Sequence, residues 1–330
     1  MSPAETPVTR AESLAARGDV AAAYALLRDA DARGDAEAAA TLGDWRLSGQ
    51  RIRRDLALAR DHYGRAVALG LSEIAPVHVA LLANGAGGSG RQWADALVRL
   101  RELAASDADA RAQVAVIEAM VIDGEGEPTS VPAAIALRET PRVATIPALL
   151  SPAECAFLIA RAAPRLQPSV VVDPATGRLI HDPVRTSSAT AFPFVEEDPA
   201  IHAINRRIAA VTATTYAQGE PLQILRYVPG QQYKLHSDAL PGEANPRVLT
   251  LLVYLNDGYV GGETEFPDLG LRFRGVPSDA LLFASVDAAG APCPAARHAG
   301  LPVRSGGKFL LSKWIRAAPL DLSGPPGRPF

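Results

Sequence analysis

Cysteine is nearly absent from the chain, with only Cys155 and Cys293 among 330 residues. Two thiols cannot build a disulfide framework, so a reducing compartment, the cytoplasm, is the expected setting. Long hydrophobic runs are also missing. No stretch approaches the roughly 20 apolar residues that a membrane helix needs, so no membrane partner is expected. The opening MSPAETPVTRAESLAARGD has no apolar core and does not read as a secretory signal. Charge of one sign is not in excess either. A net charge of −3 gives no broad basic field, so no nucleic-acid partner is expected.

What is present divides into two grammars. A length of 330 residues exceeds what one core usually serves, so two domains are expected. Residues 1–125 are rich in Ala, Leu, Arg and Asp with short glycine-containing breaks. Apolar residues recur at three- and four-residue steps, as Ala22, Ala25, Leu26 and Ala30, then Leu56, Ala59, Tyr63, Ala66 and Val67. That is helical periodicity. Ala38, Gly49, Ala59 and Gly70 have later counterparts in Ala75, Gly85, Ala96 and Asp107, an offset that indicates stacked helix pairs. The run from Ala38 through Leu42-Gly43, Gly49, Asp55, Ala59, Tyr63 and Ala66 to Gly70 resembles a Sel1-like repeat, a relative of the tetratricopeptide repeat. Residues 126–141, with Gly, Pro and charge, suit a linker.

Beyond the linker the pattern changes. Residues 151–163 read as one helix, with Ser151 as N-cap, Pro152 in the first turn and Glu154 completing a capping box. A second helix is expected over 200–215. From about 222 onward come LQILRYV, RVLTLLVYL, ETEFPDLGLRFRG, ALLFASV and KFLLSKWIR, short apolar and β-branched runs punctuated by turn residues, which read as strands. Strands after helices, without alternation, argue for a β-sandwich or jelly roll. The fold class expected is therefore α+β multidomain. An all-α helical-repeat domain (1–125) precedes a double-stranded β-helix, or jelly-roll, domain (142–318) and a C-terminal tail (319–330).

His236-Ser237-Asp238 follows a strand-like run. In an extended chain residues i and i+2 point the same way, so His236 and Asp238 can reach one ion while Ser237 turns away. Alone such a triplet is usually a surface turn. His298 lies downstream, before a long strand, and two imidazoles with one carboxylate make the facial triad that leaves iron open positions. Lys308 follows at the start of that strand. It can place an ammonium inside a sandwich, where it needs an anionic partner such as a dicarboxylate. Tyr227 and Tyr254, on neighbouring strands, offer hydroxyls to the same anion.

RYVPGQQYKLHSD, RVLTLLVYLND, GGETEF and HAGLPVRSGGKFLLSKWIR together resemble the catalytic domain of prolyl 4-hydroxylases, which are Fe(II)- and 2-oxoglutarate-dependent dioxygenases. The resemblance spans about residues 142–317 and includes RVATIPALLSPAECAFLI and Val184-Arg185-Thr186-Ser187. It implies that His236, Asp238 and His298 bind iron. Lys308 would bind the distal carboxylate of 2-oxoglutarate, helped by Tyr227, Tyr254 and Thr264. It also implies dioxygen as co-reactant, ascorbate as an accessory reductant, and a peptide or protein substrate met by Arg185, Tyr233, Trp314 and Arg316. Arg316 stands where collagen-type members carry a histidine, a cation of different shape that keeps its proton. No side chain is expected to act as nucleophile or acid–base. The same chemistry on a free amino acid or another side chain, and a non-catalytic scaffold that retains the fold, are the competing readings. Loops at 181–190 and 239–246 read as lids. His62, His78, His181 and His202 read as packing or surface residues.

Overall fold

The computed structural model describes residues 5–85, 90–172, 179–180, 184–239 and 242–330. The chain divides into two units. One comprises Met1–Glu118, Phe194–His202 and Asp321–Phe330, and the other Ala119–Pro193 and Ala203–Leu320.

The first unit is built on helices α1 (Pro7–Ala16), α2 (Val20–Ala32), α3 (Ala36–Ser48), α4 (Leu56–Ala68), α5 (Ala75–Asn84), α6 (Trp93–Ala104) and α7 (Ala108–Glu118). Their starts are written locally. Asp19, Asp35 and Asp55 each accept a hydrogen bond from the backbone N–H three residues on, satisfying a donor that the helix leaves open. Their ends are glycines where the turn needs them: Gly49 and Gly85 stand at equivalent positions of the repeat, in left-handed conformation. The repeat also places Ala59 on α4 and Ala96 on α6, both fully buried. Close approach is visible at Gly43 of α3, where a Cβ would sit 2.5 Å from the Tyr63 ring of α4. Neither residue has room to change size. On α2 the buried face is Ala23, Leu27 and Ala30. The sequence pattern placed Ala22, Ala25, Leu26 and Ala30 there, and of these only Ala30 is buried. In an alanine-rich helix several faces score alike, and the neighbouring helices select one.

The second unit opens with strands β1 (Ile135–Arg138) and β2 (Val143–Ile146), so the segment expected as a linker contributes a strand. Helix α8 (Pro152–Ala162) begins with the expected capping box, Ser151 to Glu154. Strands β3 (Gln167–Pro168), β4 (Val171–Val172), β5 (Leu179–Ile180) and β6 (Ser188–Phe192) lead to helix α9 (Pro199–Thr212). That helix stops at Ala213, which takes a left-handed φ of 56°. The main strands follow: β7 (Leu222–Tyr227), β8 (Tyr233–His236), β9 (Arg247–Tyr254), β10 (Tyr259–Gly261), β11 (Thr264–Phe266), β12 (Leu271–Phe273), β13 (Ala280–Ala284), β14 (His298–Gly300), β15 (Val303–Gly306) and β16 (Lys308–Arg316).

Most of these strands pair antiparallel into an eight-stranded sheet of order β1-β2-β13-β9-β16-β7-β6-β3 and a four-stranded sheet of order β12-β11-β14-β8, while β10 pairs with β15 and β4 with β5. One core joins them. Leu225, Leu252, Tyr254, Phe283 and Leu310 of the larger sheet cluster with Phe266 of the smaller, and Phe266 meets Phe283 edge to face at 5.1 Å. This is the sandwich the strand pattern predicted. Strand β16 shows why its parity matters. Lys308, Leu310, Ser312 and Trp314 line a cavity between the sheets, while Lys313 and Ile315, on the opposite face, border α9.

Among the described residues, no helix is long and apolar enough to cross a membrane. Residues 181–183 and 240–241, within the two expected lids and including His181, lie outside the described residues.

Candidate active site

Strand register brings the first ligands together. In the smaller sheet His298 of β14 pairs directly with His236 of β8, and their ring centroids are 4.3 Å apart. Asp238 follows two residues later, with Ser237 turned away to donate to the Ala239 carbonyl. Asp238 Oδ1 lies 3.6 Å from His236 Nε2, and Oδ2 lies 3.7 Å from His298 Nε2. One ligand atom from each residue falls within 4.8 Å of the others, a grouping suited to a metal ion.

The hydrogen bonds around these atoms show that the donor set fits a metal. His236 Nδ1 is 2.8 Å from the Lys234 carbonyl oxygen, and His298 Nδ1 is 3.2 Å from that of Ala296. A carbonyl can only accept, so each Nδ1 carries a proton and Nε2 is the ring nitrogen that each histidine turns toward Asp238. Burial pushes His298 down to about 4, outweighing the attraction of Asp238, so the ring is neutral at pH 7. Burial acts to raise the Asp238 carboxyl, but His298, His236 and the Thr250 hydroxyl outweigh it and hold the group well below the usual carboxylate range. Two imidazole Nε2 atoms and a carboxylate that converge in this way are what a divalent cation requires.

Sequence reasoning missed Thr250. Its hydroxyl donates to Asp238 Oδ2 at 2.6 Å, and the residue is 1% exposed. Its signal is there in retrospect, since Thr250 is the one aliphatic hydroxyl in the apolar run VLTLLVY of β9.

Lys308 stands at the other end of the cavity, paired in register with Tyr227 of β7. It is 2% exposed. Its ammonium donates to the Gly262 carbonyl at 2.7 Å and lies 5.5 and 5.2 Å from the ring centroids of Tyr227 and Tyr254. Among the described residues no carboxylate pairs with it, and burial pushes it down to about 7. A buried cation with two unused donors fits an anionic ligand. The Tyr254 hydroxyl is engaged with Thr264 Oγ1 at 2.8 Å, so Thr264 faces the cavity while Tyr254 supports it.

Tyr233 stacks on His236 at 3.4 Å between centroids, and burial raises its hydroxyl to about 12. Arg185 and Trp314 also line the cavity. Arg185 Nη2 and Trp314 Nε1 are buried donors without hydrogen-bond partners among the described residues. The Trp314 ring is covered by the Arg247 guanidinium at 3.7 Å. Arg316 is placed differently. It lies outside the cavity lining, its guanidinium held by Glu220, Glu243 and the Asn245 carbonyl.

Comparison with known proteins gives the same picture. The sequence profile of the 2OG-Fe(II) oxygenase superfamily matches residues 222–316. Prolyl 4-hydroxylase 1 of Arabidopsis thaliana is 39% identical over 196 residues, covering 54% of this chain and 69% of the relative. Probable prolyl 4-hydroxylase 3 of the same plant is 37% identical, over 53% and 69% of the two chains. Among solved structures, a viral collagen prolyl hydroxylase of Paramecium Bursaria Chlorella virus-1, in complex with 2OG, is 29% identical with a TM-score of 0.44. It spans 53% of this chain and 96% of that one. With its ligand geometry, buried lysine and this degree of identity, the chain belongs to the prolyl 4-hydroxylase-like group of the 2OG-Fe(II) oxygenases.

Proposed function

We propose that the chain hydroxylates a prolyl residue in a peptide or protein, with His236, Asp238 and His298 as the iron ligands and Lys308 as the anchor of the cosubstrate. The observation that carries this reading is the pairing of the three convergent ligand atoms with a buried, unpaired ammonium across the same cavity. Iron with 2-oxoglutarate supplies the dioxygen activation that hydroxylates a substrate C–H bond, with succinate and carbon dioxide released.

The chain's own residues then have separate tasks. Lys308 binds the distal carboxylate, with Thr264 and Tyr227 as neighbouring hydroxyls. The Lys234 and Ala296 carbonyls keep both imidazoles in the ligating tautomer, and Thr250 orients Asp238. Tyr233 packs against His236 and fixes its ring. Arg185 and Trp314 offer donors to the carbonyl groups of a peptide. Arg316, committed to Glu220 and Glu243, shapes the rim through Arg247 rather than touching substrate. Leu225, Leu252 and Leu310 exclude water from the cavity. The helical repeats, read as Sel1-like, dock the target. Ascorbate would keep iron reduced, and the free thiols Cys155 and Cys293 suit a reducing, cytoplasmic setting.

The test is direct. The protein with Fe(II), 2-oxoglutarate and a panel of proline-containing peptides is expected to release succinate and add the mass of one oxygen to proline. The His236→Ala variant is expected to do neither. Succinate release that no peptide stimulates, with oxygen added instead to a free amino acid, would overturn the peptidyl-proline assignment.

A further inference from the structure

Residues 324–330, Gly-Pro-Pro-Gly-Arg-Pro-Phe, belong to the helical unit and lie on it as a peptide would. The Phe330 ring stacks on Tyr24 of α2 at 4.9 Å and 22°. The Arg53 N–H donates to the Pro329 carbonyl at 2.9 Å. Arg46 of α3 donates through Nη1 to the main-chain oxygen of Phe330 at 3.4 Å and through Nη2 to the Tyr24 hydroxyl at 2.8 Å. Upstream, the contact is closed by glycine on both sides. A Cβ on Gly324 would lie 2.8 Å from Arg54 Cβ, and one on Gly49 would lie 3.1 Å from Pro325 Cδ.

This arrangement matches the chemistry of proline-rich chain. Proline has no N–H but keeps its carbonyl, so a host must supply donors and flat apolar surface. Arg53 and Arg46 supply the donors and Tyr24 the surface. Phe330 remains 47% exposed, which suits a contact that can be exchanged.

We propose that α2, α3 and the 49–54 turn form a docking groove for a proline-rich segment with an aromatic residue following Arg-Pro, and that residues 324–330 occupy it in cis. A segment of the same chemistry on another polypeptide displaces them. This deepens the docking element of the reading above. Its test measures binding without iron or cosubstrate, so its failure would leave the hydroxylase assignment standing.

The experiment uses a fluorescent, C-terminally amidated peptide SGPPGRPF and the full chain, read by anisotropy. A full-length Gly324→Ala/Phe330→Ala variant, with its tail released, is expected to bind the peptide at least about tenfold more tightly than the parent, because a tethered segment competes at millimolar effective concentration. Ending the peptide in Ala, or adding Tyr24→Ala to the variant, is expected to weaken binding by at least about tenfold. The peptide-side change holds the test even where Tyr24→Ala disturbs folding. Equal affinity for parent and released variant, equal affinity for the two peptides, or no binding to either protein would each overturn the proposal.

Discussion

At the residue scale the ligands depend on partners that never touch a metal. Thr250 locks one oxygen of Asp238, leaving the carboxylate one orientation. Replacing it by Val keeps the shape and removes the donor. Thr250→Val is expected to weaken Fe(II) or Co(II) binding by about tenfold to a hundredfold, measured by anaerobic titration calorimetry, with the circular dichroism spectrum unchanged. Unchanged affinity would mean the hydroxyl only packs. Lys308 makes a pH prediction. Burial lowers it from 10.5 to about 7, so burial costs the fold nothing above pH 10.5 and its full penalty only below pH 7. A bound dicarboxylate favours the ammonium. Below about pH 7 the affinity for 2-oxoglutarate should therefore be level for this group. It should fall as pH rises above 7, with a proton taken up on binding. Calorimetry in buffers of different ionisation enthalpy reads that proton. Lys308→Met should abolish the uptake and weaken the cosubstrate about tenfold to a hundredfold, the worth of a charge-assisted hydrogen bond. Uptake that survives in Lys308→Met would place the titrating group elsewhere.

At the element scale, legibility followed length and parity. The run KFLLSKWIR became β16 with its expected bounds (Lys308–Arg316), because nine residues of strand leave little choice of face. The capping box at Ser151 is a local motif and formed as written. Strand β14 is three residues long, too short to carry a period, and its role comes from pairing His298 against His236. Strand β1 exists because β2 offers it an antiparallel edge, a long-range fact hidden in a Gly- and Pro-bearing stretch. The run ETEFPDLGLRFRG was legible as strand but not as the hairpin of β11 and β12 that it forms, nor was the role of the glycine after it. A Cβ at Gly275 would lie 2.3 Å from Tyr254 Cδ2, and the Tyr254 ring lies beneath Lys308. Gly275→Ala is therefore expected to cost about 1–3 kcal/mol of stability through overpacking and to weaken 2-oxoglutarate binding in parallel. Denaturant unfolding and a cosubstrate titration check the two effects. Loss of stability with intact binding would show that the ring yields away from the lysine.

At the scale of the whole molecule, the sequence divides in one place and the fold in several. Composition changes near residue 125, yet Phe194–His202 is grouped with the helices. Phe194 and Val195 pack on a core of Leu56, Ala59, Tyr63 and Leu81, Asn84 Nδ2 donates to the Phe194 carbonyl, and the Trp93 ring lies 6.2 Å from that of His202. No local signal announces this, because the segment is short and its apolar residues are matched only by helices a hundred residues earlier. The consequence is testable by truncation. A chain beginning at residue 126 keeps the ligands, Lys308 and the whole of both sheets, but it strips Phe194 and Val195 of their cover and leaves His202 without the Trp93 ring. Exposed apolar surface of that kind favours association. The truncated chain is expected to melt several degrees below the parent, as the loss of about 1–3 kcal/mol implies, and to form higher oligomers by size-exclusion chromatography. Adding Phe194→Ser and Val195→Ser to the truncated chain should remove the added association. A truncated chain that is monomeric, and as stable as the parent without those changes, would show that the helices give this segment no support.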